Sequence, residues 1–310
     1  MQKFGPYLVF FAAMLWATDA PFRVHLVADL PSNFIVLGEH FVSVLFMLPI
    51  LIFGFSEIKK LTAKEWLAVL FIAVGGSALA AVAFTQSFHY VNPSVAILLQ
   101  KLQPLLAIGL AAGILKEHLG KRFWIYAGAA LFGAYLISFP NFIPQSYAGE
   151  AWNPNAVGVL LALVAAALWG ASTVFGKFVL NRRSFTVMTS LRFSVAFLFL
   201  ILLNWYEHTF PPLSQISGTD VLFLIIVALV SGVVSLFVYY KGLSYTKASV
   251  ATLAELGFPM AAVVVNWIFL KDALVPMQLL GMAILLFAVF RLARYNSTDA
   301  AAMVVAHEPT

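Results

Sequence analysis

Ten stretches of about twenty mostly apolar residues recur along this 310-residue chain, near 5–26, 33–55, 66–90, 93–115, 123–141, 156–176, 185–206, 221–240, 249–270 and 276–295. Each can carry a helix across the roughly 30 Å of a bilayer's hydrocarbon at about 1.5 Å of rise per residue. Irregular backbone exposed to lipid would leave its N–H and C=O groups without partners, so these runs predict helices. A soluble core does not account for them. With 62% hydrophobic and 10% charged residues, the chain has too little polar surface to cover a water-facing globule of this size. The sequence therefore predicts an all-α membrane protein with ten transmembrane helices. The first run follows Lys3 and contains Asp19, exceeds the apolar core of a signal peptide and is followed by further spans, so it is read as an uncleaved first helix. The absence of cysteine excludes disulfides and thiolate metal sites.

Orientation follows from the basic residues. With the N-terminus in the cytoplasm, every Lys and Arg except Arg23, Lys271, Lys101 and Arg192 falls on a cytoplasmic segment, from Lys3 through the Lys59-Lys60 and Arg182-Arg183 loops to Arg291 and Arg294. That asymmetry predicts a multi-pass protein of the cell membrane with both termini inside, and the Pro- and Gly-rich loop at 139–155 outside. Arg23 and Lys271 are read as external.

The chain also repeats itself. Leu15-Trp16 recurs as Leu168-Trp169, and His40-Phe41 as Arg192-Phe193. Tyr90, Ser94-Val95-Ala96, Pro104 and Lys116-Glu117 return as Tyr245, Ser249-Val250-Ala251, Pro259 and Lys271-Asp272, at a constant offset of 155. Five spans per copy is an odd number, so the second copy enters the membrane from the opposite face. The expected organisation is a first repeat at 1–141, an external linker at 142–155, a second repeat at 156–295 and a flexible cytoplasmic tail at 296–310. Inverted repeats of this kind are common in alternating-access transporters.

The order and duplication of these motifs resemble the paired EamA domains of the drug/metabolite transporter superfamily, and the likeness extends over nearly the whole chain. They comprise a Trp in the first helix, a Ser-Val-Ala start and a Pro in the fourth (AILLQKLQPLLA, ATLAELGFPMAA), and an acidic residue before a Gly-containing fifth helix. The resemblance implies a five-plus-five fold, a central cavity lined mainly by the first, third and fourth helices of each repeat, and export of amino acids or other small metabolites. The chain departs from the family pattern at Glu39-His40, where the second repeat has Arg192, and at Gln103 and Phe258, where an acid often precedes the fourth-helix Pro.

The candidate site residues are the polar and aromatic groups inside the spans. Lys101 lies about eight residues, roughly 12 Å, into the fourth helix, a depth at which a lipid-facing ammonium costs about 2.5–3.5 kcal/mol. Glu39 sits at a similar depth, and Arg192 and Glu255 form a mirrored pair in the second repeat. Two readings stand: buried ion pairs Glu39–Lys101 and Arg192–Glu255 that fix helix register, or cavity charges that meet a substrate or a coupled proton. On the second reading Gln100, Lys101, Gln103 and Glu255 bind substrate, with Asp19, Glu39 and Arg192 as coupling or ion-pairing groups. Pro104 and Pro259 each free a carbonyl one turn earlier, which protein or water must satisfy. Trp16 and Trp169 lie too deep for the interfacial aromatic belt and are read as cavity lining. Asp19 and Arg23, one helical turn apart, are read as a local ion pair.

No His pair stands at metal-ligand spacing and no Gly-rich phosphate loop occurs, so neither a metal site, a cofactor nor a built-in ATPase is expected. Nucleic acid is not an expected partner; lipid and a small-molecule substrate are, and the chain is read as a monomer. A polytopic membrane enzyme would need a clustered catalytic set, which the sequence does not offer. A carrier for another solute, such as a drug-like cation or a nucleotide-type metabolite, stays open beside amino-acid export.

Overall fold

The computed structural model describes residues 4–91, 96, 99–138, 156–270 and 275–305. The linker at 142–155, the Ser94-Val95 start of the fourth span, Lys271-Asp272 and residues 306–310 lie outside the described residues. The described regular structure is all helical. In chain order we label α1 (Gly5–Trp16), α2 (Ala20–Asp29), α3 (Ser32–Phe53), α4 (Ala63–Ser87), α5 (Gln103–Ile114), α6 (Lys121–Ser138), α7 (Ala156–Leu180), α8 (Phe185–Tyr206), α9 (Gly218–Ser244), α10 (Ala248–Ala254), α11 (Gly257–Leu270) and α12 (Pro276–Val305). Among the described residues, seven helical runs are long and apolar enough to cross a membrane: α3, α4, α7, α8, α9, the α10–α11 run over Ala248–Val265, and α12 over Pro276–Tyr295. The first and fourth expected spans are carried by shorter apolar helices, α1 and α5.

The repeat is built into the local structure. Thr62 caps α4 in a capping box with Glu65, and Ser217 caps α9 in a capping box with Asp220. Each hydroxyl accepts from a backbone N–H that the helix leaves orphaned, while the acid accepts from the cap's own N–H. In both helices the middle widens into a π-helical stretch, Phe71–Leu79 in α4 and Ala228–Val234 in α9.

Helices of one repeat pair with counterparts in the other: α1 with α9 and α7 with α4, α3 with α8, α5 with α10, and α6 with α12. The α6–α12 crossing brings two backbones together. A Cβ at Gly133 would lie 2.8 Å from the carbonyl oxygen of Gly281, and one at Gly281 would lie 2.7 Å from that of Gly133. Small residues let helix backbones approach where lipid supplies no hydrophobic drive for association. The outward faces are apolar, with Phe46, Phe53, Leu198 and Leu202 more than half exposed, as a lipid-facing surface requires.

One expectation is corrected. The first span is not one helix, because the chain turns at Ala17–Asp19 and restarts as α2. Pro21 lies in the first turn of α2, where its missing N–H costs nothing. Arg23 is consequently turned inward and buried. The tail is helical to Val305, since no Pro or Gly interrupts the run from Met282 to Val305 and it is rich in Ala.

At the end of the bundle carrying Arg182 and Arg183, the Lys116-Glu117 motif meets the Ser249-Val250-Ala251 motif of the other repeat. Glu117 accepts from the backbone N–H of Ala248 at 2.7 Å and of Ser249 at 3.2 Å, and from the Ser249 hydroxyl at 2.5 Å, so it caps α10. Lys116 takes a left-handed backbone, φ 53°, which turns the chain after α5 toward that helix end. Arg183 closes the same face on Glu65, 2.8 Å away.

Candidate functional site

A cavity of about 230 Å³ lies between the two repeats. Its wall includes Trp16, Asp19, Glu39, Gln100, Lys101, Gln103, Trp169, Arg192 and Glu255, so every site residue read from the sequence borders one space. What positions them is the discontinuity of the fourth and ninth spans. The chain turns at Lys101–Leu102 before α5 and at Glu255–Leu256 between α10 and α11. Pro104 and Pro259 follow those turns within the first three residues of α5 and α11. Because neither Pro can donate, the helix cannot run through regularly, and shorter i to i+3 bonds form instead. Leu105 donates to Leu102 and Phe258 to Glu255. Broken helices at the repeat interface are the places where transporters put solute sites.

Glu255 is the hub of one hydrogen-bond network. Its Oε2 accepts from Gln103 Nε2 at 2.6 Å, and its Oε1 accepts from Tyr239 Oη at 2.8 Å and from Thr173 Oγ1 at 3.3 Å. Thr173 and Tyr239 are themselves 2.9 Å apart. Arg192 is the hub of a second: its Nε donates to Ser77 Oγ at 2.5 Å, Nη1 to Tyr240 Oη at 2.7 Å, and Nη2 to the Gly76 carbonyl at 3.3 Å. All three acceptors are neutral. Gly76 belongs to the π-helical stretch of α4, and a Cβ there would fall 1.9 Å from Ser172 Oγ, so glycine is what brings α4 against α7 beside the cavity.

The ion pairs seen at this wall centre on Arg23. Glu39 meets Arg23 at 2.9 Å, and Arg23 also meets Asp19 at 2.8 Å. A third donor of the same guanidinium reaches Thr85 Oγ1 at 2.8 Å. The local Asp19–Arg23 pair is thus present, extended into a triad by Glu39. Arg192 and Glu255 make no direct salt bridge; the adjacent Tyr239 and Tyr240 stand between them, each bonded to one. Thr173, Tyr239, Ser77 and Thr85 escaped the sequence reading, although Tyr239-Tyr240 is a conspicuous polar pair in an apolar run and Thr173 is one turn from Trp169.

Aromatic rings frame these networks. Trp16 packs on Tyr239 with ring centroids 5.3 Å apart, Trp169 on Phe84 at 5.2 Å, and His40 on Phe193 at 5.6 Å. Among the wall residues, Asp19 Oδ1, His40 Nε2, Ser172 Oγ and Thr252 Oγ1 are buried without a hydrogen-bond partner in the protein. Buried polar groups of this kind are costly unless satisfied, and a polar solute can satisfy them. The charged wall residues are Asp19, Glu39 and Glu255 against Arg23, Lys101 and Arg192, a formally balanced set.

Comparison with known proteins agrees with this architecture. The chain is 30% identical over 298 residues to the riboflavin transporter ImpX of Fusobacterium nucleatum subsp. nucleatum, covering 94% of this chain and 98% of that protein. It is 23% identical over 172 residues to the uncharacterized transporter YvbV of Bacillus subtilis, covering 55% of that protein. A crystal structure that is 15% identical in sequence shares the fold with a TM-score of 0.73, over 94% of this chain and 98% of that one. The pattern of the EamA-like transporter family matches twice, at residues 3–139 and 156–294. The duplicated helical bundle around a polar cavity, matched in sequence on both halves, shows that this chain belongs to the EamA-like transporter family.

Proposed function

We propose that the protein is a secondary transporter that carries a neutral, planar heterocyclic metabolite of the flavin class through the cavity by alternating access. The observation that carries this reading is the composition of the wall: indole and phenyl rings from Trp16, Trp169, Phe84 and Phe193 around a charge set that sums to zero. Aromatic faces favour a planar ring, while balanced charge disfavours both a drug-like cation and a nucleotide-type polyanion. The 30% identity to a riboflavin transporter supports the same class. In this reading Trp16 and Trp169 stack on the ring, Gln100, Gln103 and Glu255 bond its polar edge or side chain, and Lys101 and Arg192 supply donors to carbonyl oxygens. The Asp19–Arg23–Glu39 triad is the element that rearranges between states. Ten spans in two inverted repeats, bounded as 1–141 and 156–295 and with both termini cytoplasmic, provide the rocking halves.

A second reading is export of amino acids. It draws on Lys101 and Glu255 bordering one space, since a zwitterion offers a carboxylate to the first and an ammonium to the second.

Purified protein titrated with riboflavin separates the two. Saturable quenching of flavin fluorescence, lost in Trp169→Ala, together with riboflavin flux in proteoliposomes is the expected result. Amino-acid flux that riboflavin leaves unaffected would replace the first reading with the second.

A further inference from the structure

A cluster of metal-ligating side chains lies away from the cavity. His25 and Asp29 are one turn apart on α2 and project from the same face; Asp220 belongs to the first turn of α9, which packs on α2. His25 Nε2 is 3.6 Å from Asp220 Oδ1 and 3.9 Å from Asp29 Oδ2, and one ligand atom from each of the three lies within 4.8 Å of the others.

Spacing between histidines hides this group, because its partners are aspartates and one comes from a helix nearly two hundred residues away. The decisive atom is Asp220 Oδ1. Asp220 is only 1% exposed; its Oδ2 accepts from the Ser217 N–H at 2.8 Å and the Ser217 hydroxyl at 2.7 Å, whereas Oδ1 has no hydrogen-bond partner. That buried, unpartnered oxygen is the one turned toward His25.

The other repeat supplies an internal control. Glu65 occupies the same capping-box position in α4, and there Arg183 completes the acid with two hydrogen bonds, at 3.1 and 2.8 Å. Among the described residues no Lys or Arg plays that part for Asp220. His25, when protonated, is at ion-pair distance from both acids, but both distances exceed hydrogen-bond length and a single Nε2–H cannot point at two acceptors, so Asp220 Oδ1 stays without a hydrogen bond.

We propose that His25, Asp29 and Asp220 bind a divalent transition-metal cation of the Zn²⁺ type, which ties α2 to the start of α9. One imidazole nitrogen and two carboxylates neutralise a divalent charge, and an imidazole selects zinc-like ions over Ca²⁺ or Mg²⁺. Tetrahedral Zn²⁺ with bonds of about 2.0–2.1 Å holds its ligand atoms roughly 3.3 Å apart, a few tenths of an ångström closer than His25 now stands from either acid. The side chains of His25 and Asp29 are 44% and 53% exposed and free to close that gap, while Asp220 is fixed by its cap. The His25 ring is steadied edge-on against Phe223, with centroids 5.0 Å apart. Three protein ligands leave a fourth position for water, and ready exchange with solvent is expected of so exposed a site.

The test uses the full chain in detergent, purified without a polyhistidine tag, at pH 7.5. Calorimetry with Zn²⁺ and visible absorption with Co²⁺ should both report one ion per chain, and Zn²⁺ should raise the thermal midpoint. Asp220→Asn keeps an oxygen for Ser217, and Asp29→Asn and His25→Gln alter exposed groups, so metal-free midpoints should stay near wild type. Each substitution should weaken binding at least tenfold and abolish the thermal shift. Absence of Zn²⁺ and Co²⁺ binding in the wild type, or undiminished binding in His25→Gln and Asp29→Asn, would overturn the proposal.

Discussion

Gln103 donates from Nε2 to Oε2 of Glu255 over 2.6 Å, joining the broken fourth span of one repeat to the broken fourth span of the other. This bond crosses the cavity's central seam, so anything that separates the repeats must break it. Glu255→Gln substitutes an amide NH₂ for one of two oxygens that serve three donors, and the expected cost is about 1–3 kcal/mol of stability with at least a tenfold loss of flux. The exchange Gln103→Glu with Glu255→Gln restores an amide–carboxylate pair with its sense reversed. Thermal stability should largely return while flux does not; recovery of flux in proteoliposomes would mean that the side bearing the charge is unimportant.

Arg23 holds two carboxylates at once. Arg23→Met leaves Asp19 and Glu39 facing each other in a buried setting, and removing one partner of a buried ion pair costs about 3–5 kcal/mol. Denaturation in detergent should show that loss, and the triple variant Arg23→Met, Asp19→Asn, Glu39→Gln should regain most of it. If Glu39→Gln with Lys101→Met rescues as well as the triple variant does, Glu39 is paired with Lys101 after all.

The reciprocal approach of Gly133 and Gly281 leaves no room for a methyl group, since each Cβ would come within 3 Å of the other glycine's carbonyl oxygen. Gly133→Ala and Gly281→Ala should each destabilise by about 1–3 kcal/mol. Gly109 has nothing within 4 Å of its Cβ position, and Gly109→Ala should be neutral or stabilising by up to about 1 kcal/mol through helix propensity. Thermal melts of the three variants compare them directly.

Topology can be read by labelling, because the native chain has no cysteine. Lys60 and Gln215 are both exposed, and the proposed topology puts Lys60 in the cytoplasm and Gln215 outside. In intact cells an impermeant maleimide should label Gln215→Cys at once and Lys60→Cys only after permeabilisation. The reverse pattern would invert the orientation.

Lys101 borders the cavity, where a fixed charge serves a solute better than a lipid-facing one would serve the fold. Lys101→Met should insert and melt like wild type yet lose most riboflavin flux, whereas Lys101→Arg should keep part of it, since the charge survives in altered geometry. Equal flux in Lys101→Met and wild type would remove Lys101 from the transport path.

Much of this protein is legible in its sequence. Apolar runs of membrane-spanning length admit helices and little else, because lipid cannot satisfy backbone polar groups. The recurrence of Trp16 as Trp169, Pro104 as Pro259 and Lys116-Glu117 as Lys271-Asp272 marks a duplication, and charged or amide groups at depth had to face something other than lipid, which brought Gln100, Lys101, Gln103 and Glu255 to attention. The tertiary structure alone decided who meets whom. Depth along a helix is countable from sequence, but azimuth and helix breaks are not: the turn at Ala17–Asp19 rotates Arg23 inward to Glu39, and the π-helical widening of α4 sets Gly76 and Ser77 beneath Arg192. Tyr239, Tyr240 and Thr173 join the networks because helices distant in sequence pack side by side, and Asp220 meets His25 for the same reason. Sequence fixes what each segment must bury, whereas partner choice depends on the relative rotation and shift of packed helices, which no single segment encodes.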